Sequence, residues 1–282
     1  MKQLINNTPL VTLFAEPARI LAKLESFNLT GSSKDRAAAA MLDDACLPPG
    51  ATVVEATSGN TGIALAALCA QRGCRCIIFM PEDMSRERQQ LIRSYGAEVA
   101  LTPAEEGMAG ACRRAEHWAK THGNSFYVNQ FANPSNPAAH AATTGPEIWA
   151  QTGGRVDVLI AGVGTGGTLA GTGRYLKERD PRIQCIAVTP ASGEQIPGLS
   201  TGLELPLLGS ALPDAWFPVT AAQAATAARW LAQTRGILAG PSSGAALYCA
   251  QTLAREPAFC GKDLVTILPD TGRNYLSTDL FD

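Results

Sequence analysis

Val156-Asp157-Val158-Leu159-Ile160-Ala161-Gly162-Val163-Gly164-Thr165-Gly166-Gly167-Thr168 passes from an apolar run into a glycine-rich loop and then into a helical pattern. A short apolar run closed by glycine reads as a strand over 156–160, buried on both faces as in parallel sheets. The glycines let backbone N–H groups approach a phosphate at the start of the helix, and the hydroxyls of Thr165 and Thr168 add donors. No Gly-Lys-Ser/Thr follows, so this is not the Walker loop. The glycine spacing misses the dinucleotide fingerprint, and the next strand, Cys185-Ile186-Ala187-Val188-Thr189, closes without an acid. A monophosphate on a group other than a nucleotide fits better.

The same strand, turn and helix unit recurs along the chain. Strands are predicted over 52–56, 76–80, 185–188 and 264–268, and helices over 62–72, 85–95, 107–120 and 221–234. This alternation predicts the α/β class, with open, mostly parallel, doubly wound sheets whose ligands bind at the strands' carboxyl ends. An Asn- and Pro-rich run over 129–137 reads as a boundary. A length of 282 residues suits two lobes meeting at a cleft. Hydrophobic residues make up 46% and charged residues 17% of the chain, which excludes a disordered segment. The net charge is −2, with no basic run, so neither nucleic acid nor an anionic membrane surface has electrostatic support. No apolar stretch reaches the ~20 residues of a membrane span, and Met1-Lys2-Gln3-Leu4 opens no signal-peptide core. A cytoplasmic location is expected. Of the eight cysteines, Cys69, Cys74, Cys76, Cys185 and Cys249 sit in apolar runs and read as buried reduced thiols. His117, His122 and His140 lack zinc-ligand spacing, and no metal is expected.

Three further turns carry polar chemistry. Gly31-Ser32-Ser33-Lys34-Asp35-Arg36 precedes an alanine-rich helical run. A lysine there, near Arg36 and a helix N-terminus, has its neutral amine favoured, and a neutral amine attacks an aldehyde. Glu55-Ala56-Thr57-Ser58-Gly59-Asn60-Thr61-Gly62 offers hydroxyls, an amide and N–H groups to a carboxylate; helix capping is the competing reading. Gly240-Pro241-Ser242-Ser243-Gly244 opens another helix, where a serine is ordinarily a cap.

An amine for an aldehyde, a carboxylate loop, a phosphate cup and a polar partner are the parts a pyridoxal phosphate enzyme needs. The chain resembles the fold-type II pyridoxal phosphate enzymes, whose fold is tryptophan synthase β-like, and among them the cysteine synthases (O-acetylserine sulfhydrylases). The resemblance rests on Asn7-Thr8-Pro9-Leu10-Val11, the Lys34 segment, the 57–62 loop, Met80-Pro81, Met84-Ser85 with Glu87-Arg88, Gln130-Phe131 with Asn133-Pro134, Thr143-Thr144-Gly145-Pro146-Glu147-Ile148-Trp149, the 164–168 loop, Ser242-Ser243-Gly244 and Tyr275-Leu276-Ser277. It implies a smaller mobile lobe over 35–134, a larger lobe of 1–34 plus 135–282, and the cofactor in the cleft between them. It implies that Lys34 carries the cofactor and acts as base, that Asn60 meets the cofactor's 3′ oxygen, and that Gly164, Thr165, Gly166, Gly167 and Thr168 hold its 5′-phosphate. Thr57, Ser58, Gly59, Thr61 and Gln130 then bind the substrate carboxylate, and Ser242 faces the pyridine nitrogen.

The activity implied is replacement of the acetoxy group of O-acetylserine by sulfide, in a homodimer with small-molecule substrates. Glu194-Gln195-Ile196-Pro197-Gly198-Leu199 resembles the B type, which also accepts thiosulfate. Ser200 and Thr201 replace that type's arginine pair, and Pro269 stands where it can carry cysteine, so thiosulfate, which would give S-sulfocysteine, stays an open second donor beside sulfide. The alternatives are another serine derivative, such as O-phosphoserine, or a dehydratase.

Overall fold

Alternate residues of single strands face two different cores, which is why the apolar runs are continuous. The computed structural model describes residues 4–57, 59–200, 205–209 and 213–282. In chain order the strands are β1 (Leu10–Phe14), β2 (Arg19–Leu24), β3 (Thr52–Ala56), β4 (Arg75–Pro81), β5 (Glu98–Thr102), β6 (Ser125–Tyr127), β7 (Val158–Gly162), β8 (Gln184–Pro190), β9 (Ala215–Val219) and β10 (Asp263–Leu268). The helices are α1 (Lys34–Asp44), α2 (Asn60–Arg72), α3 (Arg86–Ser94), α4 (Gly107–Thr121), α5 (Ser135–Ala142), α6 (Thr144–Gln151), α7 (Gly167–Arg179), α8 (Ala221–Arg235) and α9 (Pro241–Leu253).

The chain divides into two units, Lys34–Ser135 and a larger one made of Met1–Ser33 with Asn136–Asp282. In the larger unit six strands form one sheet in the order β1-β2-β10-β7-β8-β9, parallel except for β1. Val158, Ile160, Ile186 and Val188 pack on one face with Ala245, Ala246, Cys249 and Ala250 of α9. Leu159, Ala161, Cys185 and Ala187 pack on the other with Ile148 of α6 and Leu169 and Leu176 of α7. A leucine or isoleucine buried this fully contributes about 2 kcal/mol. Helices on both faces make this a doubly wound sheet.

The smaller unit repeats the plan with four parallel strands in the order β5-β4-β3-β6. Val54, Ala56, Ile77 and Phe79 face Ala111 and Ala115 of α4. On the opposite face a Cβ on Gly62 of α2 would lie within 3.2 Å of Thr57, Ile78 and Ile92, so only glycine permits that contact between β4, α2 and α3.

The predicted elements reappear with shifted ends. The strand predicted over 156–160 is displaced by two residues to β7, because Asp157 turns its carboxylate to the Asp263 N–H (2.8 Å) while Ala161 and Gly162 pair with Ala187 and Val188. The strands β1, β5, β6 and β9 were not predicted; all are partly exposed, β1, β5 and β6 are short or broken by polar residues, and Pro218 interrupts the apolar run of β9. Cys69, Cys76, Cys185 and Cys249 are buried free thiols, whereas Cys74 is partly exposed, a correction to its reading as buried. Among the described residues no helix is long and apolar enough to cross a membrane.

Candidate active site

In the smaller unit the helical geometry begins at Lys34 itself, a turn earlier than its alanine-rich run suggests, so the lysine is the first residue of α1 and half-buried. Asp35 in that first turn is an acid at the favourable end of the helix dipole. The segment leading to it is pinned in the larger unit, where Ser32 bridges Asp270 and the Ser33 N–H donates to the Pro269 carbonyl (2.8 Å).

The 57–62 loop connects β3 to α2. Gly59 is the N-cap of α2 and no side chain caps it, so the capping reading of Asn60, which is the first helical residue, does not hold. Thr57 is buried and its hydroxyl accepts from the Gly59 N–H (3.3 Å). The Arg88 guanidinium approaches to 3.6 Å of where a Cβ on Gly59 would stand, which adds a cation beside the positive end of α2. Ser58 lies outside the described residues.

Thr61 and Gln130, far apart in sequence, meet here: the Thr61 hydroxyl donates to Gln130 Oε1 at 2.6 Å, both residues being buried. Gln130 is held from behind by a residue that sequence reasoning passed over. The carboxyl of Glu55 accepts the Gln130 N–H (3.0 Å) on one oxygen and the Ala56 N–H (2.8 Å) on the other. Those bonds continue the β3–β6 ladder past Asn129, whose φ of +51° breaks the strand. Burial pushes the Glu55 carboxyl up to about 8, and the two N–H bonds offset this only in part. The signal was present: a lone acid inside an apolar strand.

In the larger unit β7 runs straight into Gly162 and the loop that opens α7. Gly166 caps α7 in the left-handed region (φ +86°), a conformation glycine adopts without strain. A Cβ on Gly164 would lie 2.6 Å from the Gly198 carbonyl oxygen, and one on Gly162 2.6 Å from Leu199. Ser200 closes the same contact by donating to the Gly164 carbonyl at 2.6 Å. Gly198 in turn sits where a Cβ would meet Ser242 Oγ at 3.3 Å. The loops at 162–168, 196–200 and 240–243 therefore converge, bringing Ser242 beside the glycine loop. Ser242 is buried in the first turn of α9, and the cap is Gly240, so the capping reading fails here too. Thr201 lies outside the described residues.

Thr165 and Thr168 bring two hydroxyls to the N-terminus of α7, in a loop where a Cβ at Gly164 or Gly167 would collide with its neighbours. That donor set suits a phosphate dianion. Behind it stand Asn136 and His140, bonded to Thr165 and Thr168 respectively. Sequence reasoning missed both, having read 129–137 as a boundary and the histidine only against zinc spacing.

Two open, mostly parallel α/β units, the smaller with a lysine at one helix N-terminus and a carboxylate-fitting loop at another, the larger with a phosphate-fitting glycine loop, carry the parts of one class: enzymes that hold a phosphorylated aldehyde. The pyridoxal-phosphate dependent enzyme family profile matches residues 1–270, and the chain belongs to that family. A cysteine synthase of Staphylococcus aureus is 44% identical over 298 aligned residues, covering 99% of this chain and 96% of the relative. Among solved structures, an O-ureido-L-serine synthase superposes with a TM-score of 0.94 at 39% identity, over 99% of this chain and 94% of its own. The cysteine synthase of Entamoeba histolytica does so with a TM-score of 0.93 at 39% identity, over 99% and 89%.

Proposed function

We infer that this chain is a cysteine synthase, which replaces the acetoxy group of O-acetyl-L-serine by sulfide and yields L-cysteine and acetate. The observation that carries the reading is 44% identity to a cysteine synthase sustained over 99% of the chain. When bound, pyridoxal phosphate supplies an electron sink that acidifies the substrate Cα proton and loosens the β-substituent. Lys34 anchors the cofactor, and its amine removes the Cα proton and later returns it. Gly164, Thr165, Gly166, Gly167 and Thr168 hold the 5′-phosphate, and Asn60 meets the 3′ oxygen. Ser242 offers the ring nitrogen an uncharged hydroxyl. It does not hold a proton there as an acid would, which favours loss of the β-substituent over transamination.

Thr57, Ser58, Gly59, Thr61 and Gln130 bind the substrate carboxylate, using the positive end of α2. The Thr61–Gln130 bond of 2.6 Å supports this role, since it fixes the amide that faces the anion. A cytoplasmic homodimer, taking small molecules as its substrates, completes the reading.

The test is a matrix of sulfide and thiosulfate against O-acetylserine and O-phosphoserine. Turnover is expected to be fastest with O-acetylserine and sulfide. Lys34→Ala is expected to lower kcat by about 10³-fold or more with an unchanged far-UV spectrum. A protein that takes up no pyridoxal phosphate, or turns over no serine ester, overturns the reading. The equal likeness to an O-ureido-L-serine synthase favours a second reading, in which another nucleophile enters and another β-substituted serine leaves. A wider nucleophile panel on the same ester separates the two.

A further inference from the structure

We propose that Asn136 and His140, one turn apart on α5, are positioning residues that aim the hydroxyl protons of Thr165 and Thr168 at the cofactor phosphate. The proposal rests on the reading of 164–168 as the phosphate cup. Thr165 Oγ accepts two N–H bonds, from Asn136 Nδ2 (3.1 Å) and from the Gly167 backbone (3.3 Å). A hydroxyl has two lone pairs and one proton. With both lone pairs filled, Thr165 has only its proton to offer, and an anion is the partner that takes it.

His140 does the same for the second threonine. The imidazole is buried, with Nδ1 2.8 Å from Thr144 Oγ1 and Nε2 3.2 Å from Thr168 Oγ1. A neutral ring carries one proton, and the choice of nitrogen decides what Thr168 can do. Protonated at Nε2, the ring donates to Thr168, frees that hydroxyl's proton for the phosphate, and accepts from Thr144 at Nδ1. The opposite tautomer would consume the Thr168 proton and withdraw a donor from the cup. A phosphate dianion selects the first arrangement.

The helices are built to permit this contact. A Cβ on Gly167 would lie 2.0 Å from Asn136 Oδ1, and one on Gly171 would lie 2.0 Å from the Pro137 carbonyl oxygen and 2.8 Å from His140 Cβ. The pair, spaced by one turn on α7, lets α5 lie close enough for short side chains to reach the cup.

The test is titration of cofactor-free protein with pyridoxal phosphate and, separately, with pyridoxal, which lacks the phosphate, while the ³¹P resonance of the bound cofactor is recorded. Asn136→Ala and His140→Ala are each expected to raise the Kd for pyridoxal phosphate about tenfold, equivalent to about 1.4 kcal/mol, and to leave the Kd for pyridoxal within about twofold. His140→Gln, whose amide places an N–H near the lost Nε2, is expected to recover most of the affinity and the wild-type ³¹P shift; His140→Asn is not. A parallel loss of both ligands overturns the proposal, since it reports a damaged fold. So does an unchanged Kd for pyridoxal phosphate, or a His140→Gln protein no better than His140→Ala. Wild-type protein that binds pyridoxal as tightly as pyridoxal phosphate overturns instead the phosphate-cup reading beneath it.

Discussion

Glu55 places a carboxyl group inside a sheet, where its titratable neighbours are the thiols of Cys76 and Cys112 and the phenol of Tyr127. None of these is cationic, so burial dominates and the proton is held up to about 8, against 4.5 for a free side chain. The sign of the pH effect follows. Below the unfolded value both states are protonated and nothing is lost. As pH rises from 4.5 to about 8 the unfolded chain ionises while the folded one does not, and stability falls by up to about 1.4 kcal/mol per pH unit from this group. Above that window the penalty is constant. Glu55→Gln removes the titration, so its melting temperature is expected to fall less than that of the wild type between pH 5 and 8. Equal slopes in a melting series across that range would refute the assignment. The same substitution turns an amide NH2 toward one of two backbone donors, so at low pH, where the wild type has its full stability, the variant is the less stable protein.

At the scale of elements, two glycines with different reasons can be told apart. A Cβ on Gly73 would meet nothing within 4 Å, but its φ of +65° is the left-handed cap of α2. Replacement by alanine there costs the αL penalty of about 1–2 kcal/mol and leaves packing alone. Gly171 has ordinary helical geometry and no space, its Cβ position lying 2.0 Å from a backbone carbonyl. Alanine would gain about 1 kcal/mol of helix propensity there. Overpacking against backbone costs about 1–3 kcal/mol or more, so the net effect is destabilising. Gly171→Ala is expected to lower both the thermal midpoint and the affinity for pyridoxal phosphate; Gly73→Ala is expected to lower only the first.

Such distinctions were invisible in the sequence, where both residues are glycines in helical surroundings. Buried parallel strands such as β4, β8 and β10 were legible because burial on both faces writes a continuous apolar run. The exposed edge β5 was not, because a half-exposed strand writes polar residues into its run, and β9 was not, because Pro218 breaks its apolar run. Lys34, the 57–62 loop and the glycine loop were legible because small polar residues follow a strand. Asn136 and His140 were not, because their role depends on α5 lying against α7, a contact set by glycines some thirty residues further on.

For the molecule as a whole, the larger unit is assembled from two separate stretches of chain, and its N-terminal stretch is secured by a buried ion. Lys23 on β2 is fully buried, with Nζ 2.6 Å from Glu147 Oε2 on α6, 2.7 Å from the Thr8 carbonyl and 2.8 Å from Gln151 Oε1. Glu147 also accepts the N–H groups of Asn7 (2.8 Å) and Thr8 (3.3 Å), tying three parts of the unit together. Glu147→Gln keeps the shape and removes the countercharge. Stranding a buried cation costs about 3–5 kcal/mol, and urea unfolding is expected to show a loss of that order. A midpoint within experimental scatter of the wild type would show that water reaches Lys23.

The place of β2, between β1 and β10, bears on how the chain is made. Arg19 on β2 pairs with Asp263, 244 residues later. At ribosomal rates of ~5–20 residues per second, roughly 12–50 seconds pass before that partner strand exists, and the whole smaller unit emerges in the interval. Until then one edge of Ile20, Leu21 and Ala22 has no strand to join, an invitation to neighbouring nascent chains on the same message. Synthesis of this protein therefore carries a window of vulnerability set by its topology.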